Sequence, residues 1–183
     1  MCTMIADAGV GGVEPIAVMI SPALEFFEIA VHAHSDIFNS GVLLDGEVVV
    51  SRACGGTHSL RYVVFDAMNV VGKSVNHRAY SERLALAQSI ISLTDDQKEL
   101  IGRSEPAQWE PLICGENKIV PCLGVDARGL TLHVKPIAEC SSDAIRAILA
   151  TQDPANGPCD GLVFTHRVAR VETGRASAIW KWK

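Results

Sequence analysis

Any fold of this chain has to accommodate an apolar, β-type run that carries two carboxylates. Residues Val42–Val50 read VLLDGEVVV, and this density of Val and Leu indicates a strand. Because side chains alternate across a strand, Asp45 and Glu47 share one face and Gly46 points to the other. Such a face costs free energy unless a positive group meets it. Asp-Gly between apolar runs is also a hairpin signal, and the segment alone favours a hairpin.

Three further segments combine apolar strands with charged or aromatic residues. Strict alternation in YVVFD places Phe65 and Asp66 on opposite faces of a strand. Asp160-Gly161 leads into the apolar run LVF. In the terminal WKWK, Lys181 and Lys183 share one face as a phosphate clamp, and the tryptophans on the other face are expected to be buried. Singly, each segment also has a structural interpretation, namely a core aromatic, a turn or a solvated strand edge.

The remaining pattern predicts an α+β fold with antiparallel sheets and flanking helices. With 183 residues, 48% of them apolar, the chain can bury a core of its own. Residues 1–15 read as a loose terminus, whereas the runs 16–20 and 26–33 could be strand or helix. Helices are predicted at 80–93, in a short segment opened by a Thr94–Gln97 capping box, and at 142–152. Strands are predicted at 42–50, 61–71, 130–135, 162–166 and 178–183.

Charge and cysteine patterns narrow the class of protein. The net charge is −5, and residues 1–51 contain seven acids but neither Lys nor Arg. The chain shows no basic stripe for broad nucleic-acid binding, so a polynucleotide would be bound at an end or a local site. None of the six cysteines forms a C-x-x-C pair, so we expect reduced thiols and no zinc module. No run approaches the ~20 apolar residues of a membrane span.

Taken together, the four segments suggest a nucleotidyl-transfer site. Acidic strand residues supply Mg²⁺ ligands, paired lysines neutralise phosphate oxygens, and an aromatic ring stacks on a base. The chain contains, in order, DGE, YVVFDA with a following helix that begins near Arg78 (HRAYSERL), LHVKP, DGLVF and WKWK. In these motifs it resembles the covalent nucleotidyltransferase superfamily, which includes ATP-dependent DNA ligases. The likeness is greatest to the GTP:mRNA guanylyltransferase of mRNA capping enzymes. It covers roughly residues 40–183, leaving 1–39 as an atypical N-terminal segment.

The resemblance implies a role for each motif residue. The nucleotide-binding residues would be Glu47 for metal or ribose, Phe65 to stack on guanine, and Lys135 on the guanine carbonyl oxygen. Asp45 and Asp66 would support the site. The catalytic residues would be Asp160, which with Glu47 would bind metal, and Lys181 and Lys183, which would hold the α-phosphate.

The resemblance also implies the reaction and its participants. GMP would pass from GTP, through a lysyl-GMP intermediate, to the 5′-diphosphate end of RNA, with Mg²⁺ or Mn²⁺ as cofactor. RNA polymerase or other capping subunits would be partners, no membrane would be involved, and the location would be the nucleus, or the cytoplasm for a viral protein.

The chain departs from this pattern at the nucleophile. The family supplies a lysine in a K-x-D-G motif before DGE, but Lys73 is the first lysine here, so no covalent nucleophile is assigned. The C-terminal OB-fold module is not present either. We therefore expect an incomplete guanylyltransferase domain with impaired or no activity alone. The alternatives are an ATP-dependent polynucleotide ligase domain and a non-catalytic nucleotide- or RNA-cap-binding module.

Overall fold

The computed structural model describes residues 2–7, 16–24, 26–29, 31–33, 40–52, 58–92, 99–101, 130–150, 161–172 and 177–182. Within them, nine strands form one sheet in the order β3-β2-β1-β5-β6-β9-β4-β8, with β7 also paired to β6. The strands are β1 Cys2–Asp7, β2 Ile16–Ile20, β3 Phe26–Ile29, β4 Val31–Ala33, β5 Val42–Arg52, β6 His58–Val70, β7 Lys73–Ser74, β8 Glu99–Ile101 and β9 Leu130–Val134.

A second, two-stranded sheet and two helices complete the described architecture. The antiparallel strands β10 (Leu162–Thr165) and β11 (Ile179–Trp182) form this sheet, and the helices are α1 (Tyr80–Ile91) and α2 (Ser142–Ala150). In the large sheet, only β9 pairs in parallel, with β6 and β4. The predicted α+β class with antiparallel sheets and flanking helices is therefore confirmed, with the parallel strand β9 as an addition. No helix in the described part of the chain is both long and apolar enough to cross a bilayer.

The core lies on the face of the sheet that helix α1 covers. Leu44, Tyr62 and Val64 on β5 and β6 are fully buried, as is Ala87 on α1. Leu84 and Ile91 extend the apolar stripe of α1 at helical spacing. Burial of this stripe orients the helix, and its first turn consequently lies against the end of β6 that carries the predicted site residues.

Side-chain hydrogen bonds stabilise the start of each helix. The Glu82 carboxylate accepts a hydrogen bond from the Ala79 backbone N–H at 3.0 Å, which stabilises the start of α1. The Ser141 hydroxyl accepts one from the Ala144 N–H at 3.1 Å, so Ser141 caps α2. Each strand and helix predicted at 42–50, 61–71, 80–93, 130–135, 142–152, 162–166 and 178–183 is present, to within a few residues at its ends.

Three sequence-based interpretations need correction. Asp45-Gly46 lies inside strand β5 and does not turn, because β6 pairs with β5 along its length. Residues 1–15 were expected to be loose, yet 2–7 form β1, which pairs with both β2 and β5. Long-range pairing outweighs the weak local signal in both segments. Residues 16–20 form β2, and within the run 26–33 residues 26–29 form β3 and 31–33 form β4. The short helix predicted after Thr94 is wrong at 99–101, which form strand β8, whereas 94–98 lie outside the described residues.

The β6–β7 hairpin turns through two residues with positive φ, Val71 at 51° and Gly72 at 71°. A β-branched residue is strained there, whereas Asn tolerates this conformation and Asn-Gly is the preferred pair for such turns. We expect Val71→Asn to raise the free energy of unfolding by about 1 kcal/mol, measured by urea denaturation. Val71→Thr, which keeps the branching, should give no gain. A gain from Thr equal to that from Asn would contradict this explanation.

Candidate nucleotide-binding site

Three predicted site residues converge where β9 ends beside β6. The Lys135 backbone N–H donates to the Val64 carbonyl at 2.8 Å and so continues the parallel ladder by one residue. The Lys135 ammonium lies 3.7 Å from the Glu47 carboxylate and 4.7 Å from the centroid of the Phe65 ring. Both distances fall within the range of an ion pair and a cation–π contact. An aromatic ring, a cation and an anion therefore share one small area of the sheet.

Solvent exposure indicates that this cluster is open to a ligand. The side chains of Lys135 and Glu47 are 46% and 45% exposed. Ion pairs of this exposure contribute little to folding stability, typically about 0–1 kcal/mol. The cluster is therefore better suited to binding a polar, planar ligand than to holding the fold together.

A β-bulge directs Phe65 toward this cluster. Glu47 pairs with Val63 and Asp45 pairs with Asp66, so the ladder between β5 and β6 shifts register and Phe65 has no partner on β5. Bulges re-aim side chains and are common next to functional sites. The prediction that Phe65 and Asp66 face opposite ways assumed strict alternation, which this bulge interrupts.

Asp45 and Asp66 lie side by side across the same two strands. Asp45 is only 6% exposed. Its burial, followed by repulsion from Asp66, raises the Asp45 pKa from 3.8 to about 6, although the backbone hydrogen bond from Gly46 opposes the rise. A substantial fraction of Asp45 is thus protonated in mildly acidic solution.

This raised pKa makes stability depend on pH. Between pH 3.8 and about 6, folded Asp45 binds a proton that the unfolded chain has lost, so its contribution to stability falls as pH rises through this window. We expect Asp45→Asn to unfold with a midpoint less sensitive to pH and to be about 2 kcal/mol more stable at pH 7. Urea titrations at several pH values measure both effects. An unchanged pH profile in Asp45→Asn would refute this assignment.

Asp66 is held by a buried arginine from α1. One Asp66 carboxylate oxygen accepts from the Arg83 Nε–H at 2.7 Å and the other from an Nη–H at 2.6 Å, a bidentate pair. The first oxygen also accepts from the Ala67 N–H at 2.8 Å. Arg83 is 2% exposed. Asp66 therefore joins the strand after Phe65 to helix α1, and its supporting role in a nucleotide site stays a prediction.

Sequence reasoning did not single out Arg83 or its neighbour Tyr80. The Arg83 guanidinium lies 5.7 Å from the centroid of the Tyr80 ring. Burial and the Asp66 charge raise the Tyr80 pKa, against smaller opposing effects of Arg83 and of a hydrogen bond with Thr165. A signal was available, because Arg83 lies at helical spacing among the apolar residues of the α1 stripe.

The remaining predicted residues lie elsewhere or outside the described residues. Asp160 and Lys183 are outside them. Lys181 is exposed on β11, opposite Val163 in the two-stranded sheet. The expectation that both tryptophans are buried is wrong, since Trp180 and Trp182 are 57% and 56% exposed. Both tryptophans lie on the separate two-stranded sheet, and the buried core described above belongs to the large sheet.

The described residues by themselves do not form a metal centre. Among them, no three His, Cys, Asp or Glu side chains are grouped to hold a metal ion. The Glu47 carboxylate is instead neutralised by Lys135. Of the predicted pair of metal ligands, Glu47 and Asp160, only Glu47 lies within the described residues.

Comparison with known protein families shows what part of the chain is similar to a described domain. The family model of the mRNA capping enzyme catalytic domain matches residues 17–111. This range contains Glu47, Phe65 and Asp66, begins within the segment 1–39 described above as atypical, and ends before Lys135. No curated protein matches the chain significantly in sequence.

Proposed function

The chain belongs to the mRNA capping enzyme catalytic-domain family, and from this membership we propose that Glu47, Phe65 and Lys135 form the guanine-binding part of a GTP site. The observation that carries the proposal is the position of the Lys135 ammonium, which lies over the Phe65 ring and is paired to Glu47. For a base to stack on this face of Phe65, the ammonium has to move from over the ring to the edge of the base, where it can donate a hydrogen bond.

The chemistry of the base edge favours guanine over adenine. Guanine presents two acceptors, O6 and N7, to which lysine donates, whereas adenine places an N6 amino donor at the position of O6. The Lys135 ammonium can donate to guanine and would oppose the amino group of adenine. This difference supports a capping-type site over the ATP-dependent ligase alternative.

The phosphate half of the site is proposed from the family likeness. Lys181 and Lys183 would neutralise the α-phosphate, and Asp160 with Glu47 would bind Mg²⁺ or Mn²⁺ carried with the nucleotide. GMP would then be transferred to the 5′-diphosphate end of RNA. Nuclear location, or cytoplasmic location for a viral protein, and association with RNA polymerase or other capping subunits belong to the same proposal.

The covalent step has a separate requirement. A lysine amine must attack the α-phosphorus of GTP, form a phosphoramidate and release pyrophosphate. Residues 1–72 contain no lysine. We propose that this chain by itself binds GTP reversibly and forms no lysyl-GMP, which also matches the behaviour of a non-catalytic nucleotide- or cap-binding module.

Nucleotide binding tests the proposed base site. We expect calorimetric titration to show tighter binding of GTP than of ATP. Phe65→Ala and Lys135→Ala should each weaken GTP binding about tenfold or more, because stacking and a good base-edge contact are each worth ~1–3 kcal/mol. Lys73→Ala, which removes an exposed lysine from β7, is the matched control and should leave GTP binding unchanged.

The outcomes separate the candidate functions. Equal binding of ATP and GTP, or no effect of Phe65→Ala, would contradict the guanine site. Incubation with labelled nucleotide and Mg²⁺ should give no adduct; an AMP adduct would indicate a ligase, and a GMP adduct on Lys73 would overturn the assignment of the nucleophile. Loss of reversible binding in the Lys181→Ala, Lys183→Ala double variant would support the phosphate clamp.

A further inference from the structure

Arg83 joins three separate segments of the chain. Besides the bidentate pair with Asp66 on β6, one Arg83 Nη donates to the carbonyl oxygens of Arg78 and Ala169, both at 2.7 Å. The guanidinium is 2% exposed. A charge buried this deeply is costly unless its donors are satisfied, and here carboxylate and carbonyl oxygens accept from it on several sides.

The Ala169 contact ties Arg83 to the sheet that carries Lys181. Residue 169 follows β10, and the His166 N–H donates to the Ala178 carbonyl at 2.9 Å, just before β11 begins. Two more backbone bonds hold this connection to the start of α1: the Ser81 N–H donates to the Arg167 carbonyl, and the Val171 N–H donates to the Asn76 carbonyl, both at 3.1 Å. The connection is therefore docked on the first turn of α1.

A side-chain contact beside Arg83 also joins helix α1 to the β10–β11 sheet. The Tyr80 phenol on α1 lies close to Thr165, the last residue of β10. Tyr80 also lies against the Arg83 guanidinium. The carboxylate partner of Arg83, Asp66, directly follows Phe65 in the sequence. A single buried cation thus lies between the proposed base site and the proposed phosphate-binding strand.

We propose that Arg83 is a positioning residue that fixes the β10–β11 sheet relative to the Phe65 strand, so that one nucleotide can reach Phe65 and Lys181 together. The inference rests on the proposed GTP site and adds a determinant of its geometry. Arg83 itself contacts no ligand in this scheme, since its donors are directed to Asp66, Arg78 and Ala169.

Arginine is required because the contacts need a planar fork. Two parallel N–H groups match the Asp66 carboxylate while the remaining Nη reaches two carbonyls in other directions. A lysine keeps the charge but presents a compact ammonium that cannot make both sets of bonds. Arg83→Lys therefore separates positioning from charge.

The expected effect of Arg83→Lys on affinity depends on whether a ligand binds one subsite or two. A ligand that binds two subsites at once gains affinity only if their separation matches its own length. With Arg83→Lys, guanosine, which needs the base site alone, should bind as before, whereas GTP should bind about tenfold more weakly. A general loss of folding would instead lower the binding-competent fraction for both ligands and leave their affinity ratio unchanged.

The test compares the dissociation constants of GTP and guanosine by NMR titration, at a temperature where circular dichroism shows each variant to be folded. Arg146→Lys, an exposed arginine on α2, is the matched control and should change neither constant. Tyr80→Phe, which removes only the phenol oxygen, serves if Arg83→Lys does not fold, and should lower the GTP-to-guanosine affinity ratio by about threefold.

Each result has a defined consequence. A reduced affinity ratio in Arg83→Lys or Tyr80→Phe supports the inference. Equal weakening of GTP and guanosine, or no change in the ratio, overturns it while leaving the GTP site intact. If the unaltered chain binds neither ligand, the proposed function itself fails, and the positioning role fails with it.

Discussion

Asp66→Ala should lower the free energy of unfolding by about 3 kcal/mol, because it leaves the Arg83 guanidinium buried without its counter-charge. The variant removes both acceptors of the bidentate pair, at 2.6 and 2.7 Å, from a cation that is only 2% exposed. The carbonyls of Arg78 and Ala169 still accept hydrogen bonds, but they carry no formal charge. Urea denaturation at pH 7 measures the loss.

An exposed ion pair provides the control for Asp66→Ala. Arg167 and Glu139 lie 3.6 Å apart with side chains 77% and 94% exposed. Glu139→Ala should therefore change stability by no more than about 0.5 kcal/mol. If Asp66→Ala and Glu139→Ala lower the free energy of unfolding by similar amounts, burial does not determine the importance of the Asp66–Arg83 pair.

Replacing both partners separates the cost of a stranded charge from the value of the pair. The double variant Asp66→Leu, Arg83→Met removes the charge together with its partner and should be more stable than Asp66→Ala alone. Recovery should be incomplete, because the carbonyls of Arg78 and Ala169 lose their common donor. A double variant less stable than Asp66→Ala would show that packing around Arg83 matters more than its charge.

The sequence predicted the elements well because their local signals are strong. β-Branched runs fixed β5 and β6, and helical spacing fixed α1. Prediction from the sequence failed where the structure depends on pairing between distant segments. The interpretation of Asp45-Gly46 as a hairpin did not include the pairing of β5 with β6, and the bulge at Phe65 depends on the same pairing.

The site was predicted in part for a related reason. The family likeness named Glu47, Phe65 and Lys135, but their contact depends on the parallel pairing of β9 with β6, which sequence patterns alone do not specify. The exposed tryptophans were missed because alternation says which residues share a face and not whether that face is covered. Arg83 was overlooked although a charge within an apolar helical stripe is a readable signal.

Gly46→Ala should lower the free energy of unfolding by about 3 kcal/mol, at least as much as Asp66→Ala. No space exists for a methyl group at this position. A Cβ there would lie 2.5 Å from the Val63 carbonyl oxygen and 2.7 and 2.9 Å from two ring carbons of Tyr62. Tyr62 is fully buried, and its hydroxyl donates to the Leu44 carbonyl at 3.3 Å. Neither neighbour can withdraw without opening the β5–β6 ladder or displacing the core.

Urea denaturation tests this loss, with Ser74→Ala at an exposed position of β7 as the control, for which we expect a change below about 0.5 kcal/mol. A Gly46→Ala variant of unaltered stability would show that the sheet tolerates the methyl group.

The position of Gly46 also bears on function. Its missing side chain lets the Tyr62 ring pack against the backbone of β5, while Asp45 and Glu47 on either side remain directed to the other face. Any shift that relieves the clash has to move these two carboxylates and, through the 3.7 Å ion pair, Lys135. We therefore expect folded Gly46→Ala to bind GTP more weakly as well. The glycine of DGE is thus required by packing on the core face so that its acidic neighbours can serve the opposite face.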